Sequence, residues 1–141
     1  MIFLSCGTLK EMRAKRETRE YLITARNLLA HGDYEGALRE NQKILVMYDS
    51  TPPGDEALFN TGLIYAHSGN PKRDYQKSLD QFKRLVKVFP QSPFAQQGKI
   101  WIGIIQENER LKRDVEELNK SLRRSKQVDI EIDEKKKEIA K

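Results

Sequence analysis

Cys6, His31 and His67 are the side chains of this sequence best suited to bond-making chemistry: a thiol that acts as nucleophile or metal ligand once deprotonated, and two imidazoles able to pass protons. Their spacing argues against both uses. No histidine lies near Cys6 in sequence to draw off its proton, and two histidines with a single cysteine make no set with metal-ligand spacing. His31 and His67 stand at similar places close before a turn glycine, where the negative end of a helix dipole favours a histidine. Glu116 and Glu117 are adjacent, so on a helix they diverge and cannot work as an acid/base pair. No phosphate-cradling glycine loop, nucleophile elbow, HExxH pair or dinucleotide fingerprint occurs. The expectation is a protein without catalytic residues, cofactor or metal.

What remains is scaffold. The chain has 141 residues, 38% hydrophobic and 33% charged, a balance that suits helical repeats and coiled coils. Five Pro and eight Gly fall mostly at element boundaries, which predicts long helices and few turns. The net charge of +5 is concentrated between Lys10 and Arg26, with six basic against three acidic residues. That segment either faces acidic phospholipid or keeps a helix solvated. No basic stripe interleaved with aromatics appears, so nucleic acid is not an expected partner. One cysteine excludes an intrachain disulfide.

Thr24 to Asp49 and Thr61 to Pro90 share one pattern: an apolar helix, Ala-His then glycine, an Asp-Tyr pair, a small residue, leucine, and a second apolar helix. This pattern resembles the tetratricopeptide repeat, a 34-residue helix–turn–helix unit. In the first unit Tyr21, Thr24, Ala25 and Leu28 match its first helix, Gly32-Asp33-Tyr34 its turn, and Ala37 the small residue where the helices approach most closely. In the second, Leu58, Gly62 and Tyr65 match the first helix, Gly69 opens the turn, Ser78 takes the small position, and Phe82, Leu85 and Pro90 complete the unit. Gly62 costs about 1 kcal/mol relative to alanine inside a helix, so its presence predicts close packing. Gly32 and Gly69 are expected in the left-handed conformation that ends helices. Three departures stand out. Asn70 to Arg73 insert four residues into the second turn, Asn41 replaces a large apolar residue, and Asp49 replaces a proline. Asp55 is a candidate cap for the helix after the STPPG link, and Ser92-Pro93 a candidate start for the next. That next helix places Phe94, Gly98 and Trp101 on the same face as its predecessors, with Trp101 expected in the core. Members of the repeat family that clamp a peptide carboxylate use Lys, Asn and Arg on these helices. Leu22, Arg26, Asn60 and Leu63 stand at the corresponding places and do not reproduce the clamp, although Arg26 and Asn60 remain candidate polar contacts to a protein partner.

The opening Phe3-Leu4-Ser5-Cys6-Gly7 resembles the lipobox of bacterial lipoproteins, in which a small residue precedes a cysteine that is lipidated on sulfur. Met1 to Leu4 alone neither span a bilayer nor make a signal peptide, so the resemblance implies a leader upstream of Met1. It further implies a lipid anchor on Cys6, Gly7 as a residue compatible with outer-membrane sorting, and residues 1–10 as signal remnant and tether before a repeat domain over 11–105. The alternative is a cytoplasmic protein with an ordinary thiol.

From Ile104 apolar residues fall at Leu111, Val115, Leu118 and Leu122, with Asn108 completing a heptad register. Residues 106–141 therefore read as a charged helix or coiled coil, a candidate homodimer contact, with acidic-before-basic pairs such as Glu109 and Arg113 adding about 0.2–0.5 kcal/mol each. Val128, Ile130 and Ile132 alternate like a strand but lie among helix formers. With Leu118 and Leu122 before them, Asp129, Ile130 and Glu131 resemble the tail of small outer-membrane lipoproteins that accompany a two-component sensor kinase. The sequence thus predicts an all-α fold of about two tetratricopeptide-like hairpins and a capping helix continuing into a long C-terminal helix. It predicts a protein-binding scaffold on the periplasmic face of the outer membrane, or failing that a cytoplasmic adaptor that dimerises through its arm.

Overall fold

The computed structural model describes the backbone of residues 5–140 and the side chains of residues 9–140. The lipobox residues Phe3 and Leu4, and the side chain of Cys6, lie outside what it describes. The fold is all-α: α1 (Ser5–Ala30), α2 (Tyr34–Met47), α3 (Gly54–Ala66), α4 (Tyr75–Val88) and α5 (Pro93–Ile139). Two compact units divide it, one reaching to Gly103 and the other beginning at Ile104.

The first unit consists of two helical hairpins. α1 packs on α2, α3 packs on α4, and α2 packs on α3 to join them. The opening turns of α5 complete the core: the Phe94 ring lies 5.4 Å from Phe59, and Trp101 stacks on Phe82 at 6.1 Å. Ile44, Leu58, Ile64, Phe82 and Leu85 are fully buried, each worth about 1.5–3 kcal/mol in transfer from water.

The two hairpins repeat their local chemistry. Asp33 accepts a hydrogen bond from the Gly36 amide at 2.8 Å and starts α2; Asp74 accepts from the Lys77 amide at 2.9 Å and starts α4. Ala37 and Ser78, one turn on, are both completely buried. At the far ends the Tyr48 amide closes on the Ile44 carbonyl at 2.8 Å, and the Phe89 amide on Leu85 at 2.9 Å. Asn41 and Phe82 hold equivalent places, one polar and one aromatic, and both are buried.

The turns depart from expectation in two places. Gly32 adopts φ 78° and ends α1, but Gly69 does not follow it; among the described residues Gly32 alone has positive φ. The four extra residues account for the difference. They let the second connection reverse in steps, with the Asn70 amide on the His67 carbonyl and the Arg73 amide on Asn70, both at 3.0 Å. Asp55 does not cap α3: Pro53 holds that position and Asp55 sits inside the first turn. Its buried carboxylate instead accepts from Ser92 Oγ at 2.6 Å. Ser92 caps α5 as its sequence suggested, accepting from the Phe94 amide at 3.1 Å.

Two further stretches are more helical than their composition implied. The segment read as a tether is helix from Ser5 onward. The alternation of Val128, Ile130 and Ile132 belongs to α5, which continues unbroken to Ile139 because the residues around it, Glu, Lys and Gln, are strong helix formers.

Candidate protein-binding surfaces

Arg26 and Asn60, the two polar candidates on the first unit, have different situations. Arg26 projects from α1 and pairs with Glu56 of α3 at 2.5 Å, spanning the two hairpins. The arginine is two-thirds exposed, so solvent screens the pair and a partner's carboxylate can compete for it. Asn60 is half-buried and turns inward, its Nδ2 3.4 Å from Asn41 Oδ1. Asn41 in turn donates to the Ala37 carbonyl at 2.8 Å. Asn60 is thereby occupied at the α2–α3 seam, and Arg26 is the more accessible of the two.

Where the two hairpin turns meet, the structure assembles a cluster that sequence spacing did not indicate. The Tyr34 hydroxyl donates to His67 Nδ1 at 3.0 Å, and the Gly69 amide donates to the same nitrogen at 3.1 Å. Two donors on Nδ1 assign the ring proton to Nε2. His67 is therefore a joint between the turns. His31 keeps the simpler role, its Nδ1 within 2.7 Å of the Asn27 carbonyl. The inserted residues are tied down as well. Buried Asn70 donates to the Ile64 carbonyl at 2.9 Å, Lys72 forms an ion pair with Glu35 of α2, and Arg73 lies over the Tyr75 ring. Lys72 holds the Glu35 carboxyl below its ordinary range, chiefly through the hydrogen bond between them and secondly through its charge. The Lys77 amide does the same for Asp74. The one clue in the sequence was Gly69: a Cβ there would run into the Tyr34 hydroxyl.

On α1, Leu9 and Met12 are 64% and 69% exposed and stand among exposed Lys10, Arg13 and Arg16. This face can lie on a surface that is apolar and anionic together. A groove of about 480 Å³ opens farther along α1, lined by Lys15, Thr18, Arg19, Leu22, Tyr48 and Pro53. No described helix is long and apolar enough to cross a membrane. Among the described residues no group of three His, Cys, Asp or Glu side chains gathers as a metal site would require.

In the second unit every described residue from Gln106 to Ala140, apart from half-buried Glu109, is exposed. Leu118 and Leu122 share one face of α5, and Asp129 falls on the same line. Ile130 and Glu131 do not; at 3.6 residues per turn they point roughly 120° and 140° away from Leu118, to opposite sides. The tail motif is thus split by the helix, with Asp129 alone continuing the leucine face.

The chain matches no family model, and no curated protein or solved structure matches it.

Proposed function

We propose that this chain is a non-enzymatic scaffold of the tetratricopeptide kind, a bacterial envelope lipoprotein held by lipid on Cys6 at the periplasmic face of the outer membrane. It binds another protein there as an assembly or signalling accessory. The observation that carries the scaffold reading is the recurrence of one hairpin: an aspartate cap, a fully buried small residue, and an aromatic closing residue at equivalent places in α2 and α4. Such units bury their apolar faces on one another and leave their outer faces to partners, which is what repeat architectures are used for. Arg26 and the groove between α1 and the α2–α3 link are the accessible features of that surface. The tether is supported by position and charge. Cys6 lies on the same helix as Leu9, Met12, Arg13 and Arg16, a combination suited to the edge of an anionic bilayer.

One observation favours a cytoplasmic adaptor instead. α1 runs from Ser5 into the first hairpin without an irregular stretch, so no flexible tether separates Cys6 from the repeats. Labelled palmitate distinguishes the two readings in cells expressing the native gene with its upstream codons. Label on the wild-type protein that disappears in Cys6→Ala, together with fractionation into the outer membrane, supports the lipoprotein. An unlabelled protein recovered in the cytosol overturns the tether in favour of the adaptor.

A further inference from the structure

The second unit presents an unpartnered face whose composition specifies its own occupant. Ile104, Asn108, Leu111, Val115, Leu118 and Leu122 follow one another at alternating four- and three-residue steps, the spacing of a coiled-coil seam. All are exposed, Leu118 by 70%, Val115 by 57% and Leu122 by 51%. We infer that this face pairs with the same face of a second copy of the chain in a parallel, in-register, two-stranded coiled coil over residues 104–125. The inference does not depend on lipid at Cys6.

Register and hand of pairing follow from the residue types. The four-then-three order puts Ile104, Leu111 and Leu118 at d positions and Asn108, Val115 and Leu122 at a positions. Leu111 and Leu118 at d, with Val115 and one asparagine at a, favour two parallel strands over larger bundles; Ile104 at d and Leu122 at a, at the ends of the seam, do not add to that preference. Asn108 decides between parallel and antiparallel. In a parallel pair it meets its own copy, and amide can bond to amide. In an antiparallel pair each a residue faces a d residue, and a buried amide would lie against isoleucine or leucine. Asn108 donates one bond now, from Nδ2 to the Ile104 carbonyl at 3.0 Å. Its second amide hydrogen and its acceptor oxygen supply what the partner amide needs.

Charge agrees with this arrangement. In a parallel pair the g residue of one strand lies beside the following e residue of the other. Glu107 thereby meets Lys112, twice by symmetry, and Asp114 meets Asn119. No like charges oppose across these flanks in that stretch. Beyond it the agreement ends: Ser125 at d leaves a gap, and Asp129 and Lys136 at a would each face their own charge. The pair therefore stops near Ser125, and the remaining helix continues as two separate ends, free for other contacts.

Sedimentation equilibrium of the full chain in a Cys6→Ser background, over a concentration series, is the direct test. A mass rising from one copy to two, with Leu118→Asp raising the dissociation constant by about a hundredfold or more, supports the pair, since like charges would face each other in a desolvated layer. Leu118 is exposed in the single chain, so unchanged helical circular dichroism at low concentration shows that the variant still folds. Direction is read from single cysteines. Leu111→Cys and Leu118→Cys, prepared separately, should each crosslink to its own copy on mild oxidation. An antiparallel pair can bring at most one position opposite itself, so crosslinking at one site only, or at neither, overturns the parallel register. A monomer at every concentration, a trimer or tetramer, or a dimer indifferent to Leu118→Asp overturns the proposal altogether.

Discussion

The Ser78 hydroxyl donates to the Gly62 carbonyl across 2.7 Å, and one turn along α4 the Phe82 ring closes over the same glycine. A Cβ on Gly62 would stand 2.6 Å from Phe82 Cε1. The ring has little freedom to yield, being fully buried with Phe59 at 5.8 Å and Trp101 stacked at 6.1 Å. Two effects oppose each other in Gly62→Ala. Helix propensity gains about 1 kcal/mol. Overpacking against a fixed ring costs about 1–3 kcal/mol. The second prevails, and urea unfolding should find Gly62→Ala less stable than wild type. The double variant Gly62→Ala, Phe82→Leu should recover part of the loss if the ring is the obstacle; equal or lower stability than Gly62→Ala would point elsewhere.

Asn41 is buried where the equivalent residue of the second hairpin is Phe82. Its bond to the Ala37 carbonyl at 2.8 Å is firm, whereas its contact with Asn60 at 3.4 Å is long. Asn41→Ala removes a satisfied amide and leaves a void, and should cost about 1–3 kcal/mol. Asn60→Ala should cost less, because that residue is only partly buried and its contact is long. A double-mutant cycle by chemical denaturation should give a coupling below about 0.5 kcal/mol. A coupling well above that would make the asparagine pair a structural lock between the hairpins.

How much of this was legible beforehand depends on whether a position obeys a local rule. Ser92-Pro93, Ala37, Gly62 and the heptad of the arm announce themselves through capping, size and period, each a property of a few neighbouring residues. The Tyr34–His67 joint and the Asp55–Ser92 bond were hidden, because each links residues more than thirty positions apart whose individual types are unremarkable in sequence. Asp55 misled for a physical reason: aspartate favours helix starts generally, and its place two residues past the cap, inside the first turn, follows from Pro53 holding the cap itself. The candidate polar contacts Arg26 and Asn60 looked alike by their places in the repeat that the sequence resembles, yet the fold gives one to solvent and turns the other inward.

Acid should loosen the joint between the turns before it affects the core. Glu35 is held below the ordinary carboxylate range by its bond to Lys72, and Asp74 by the Lys77 amide. Each folded-state value lies under its unfolded value, so the stabilisation is complete above the unfolded carboxylate range and is lost as pH falls through the folded values. The contribution of these two carboxylates should therefore be level from neutral pH to about pH 5 and decline below about pH 4. Asp74→Asn should be less stable than wild type at pH 7, with the difference shrinking by pH 3. Parallel pH curves for the two proteins would rule out a contribution from the Asp74 charge.

Ser92 does two jobs with one oxygen. Its Oγ accepts from the Phe94 amide at 3.1 Å, which starts α5, and donates to the buried Asp55 carboxylate at 2.6 Å, which fixes that start against α3. Loss of a helix cap costs about 0.5–2 kcal/mol. Leaving a buried carboxylate without its donor costs about 1–3 kcal/mol more. Ser92→Ala removes both and should destabilise by about 2–4 kcal/mol in urea unfolding, a large loss for one hydroxyl. Ser92→Thr keeps the hydroxyl and should retain most of the stability. Asp55→Asn keeps the cap and an acceptor but removes the charge, so its loss should fall between the two. If Asp55→Asn proved as damaging as Ser92→Ala, the carboxylate would dominate and the cap would count for little; if it proved silent, the cap alone would account for the serine.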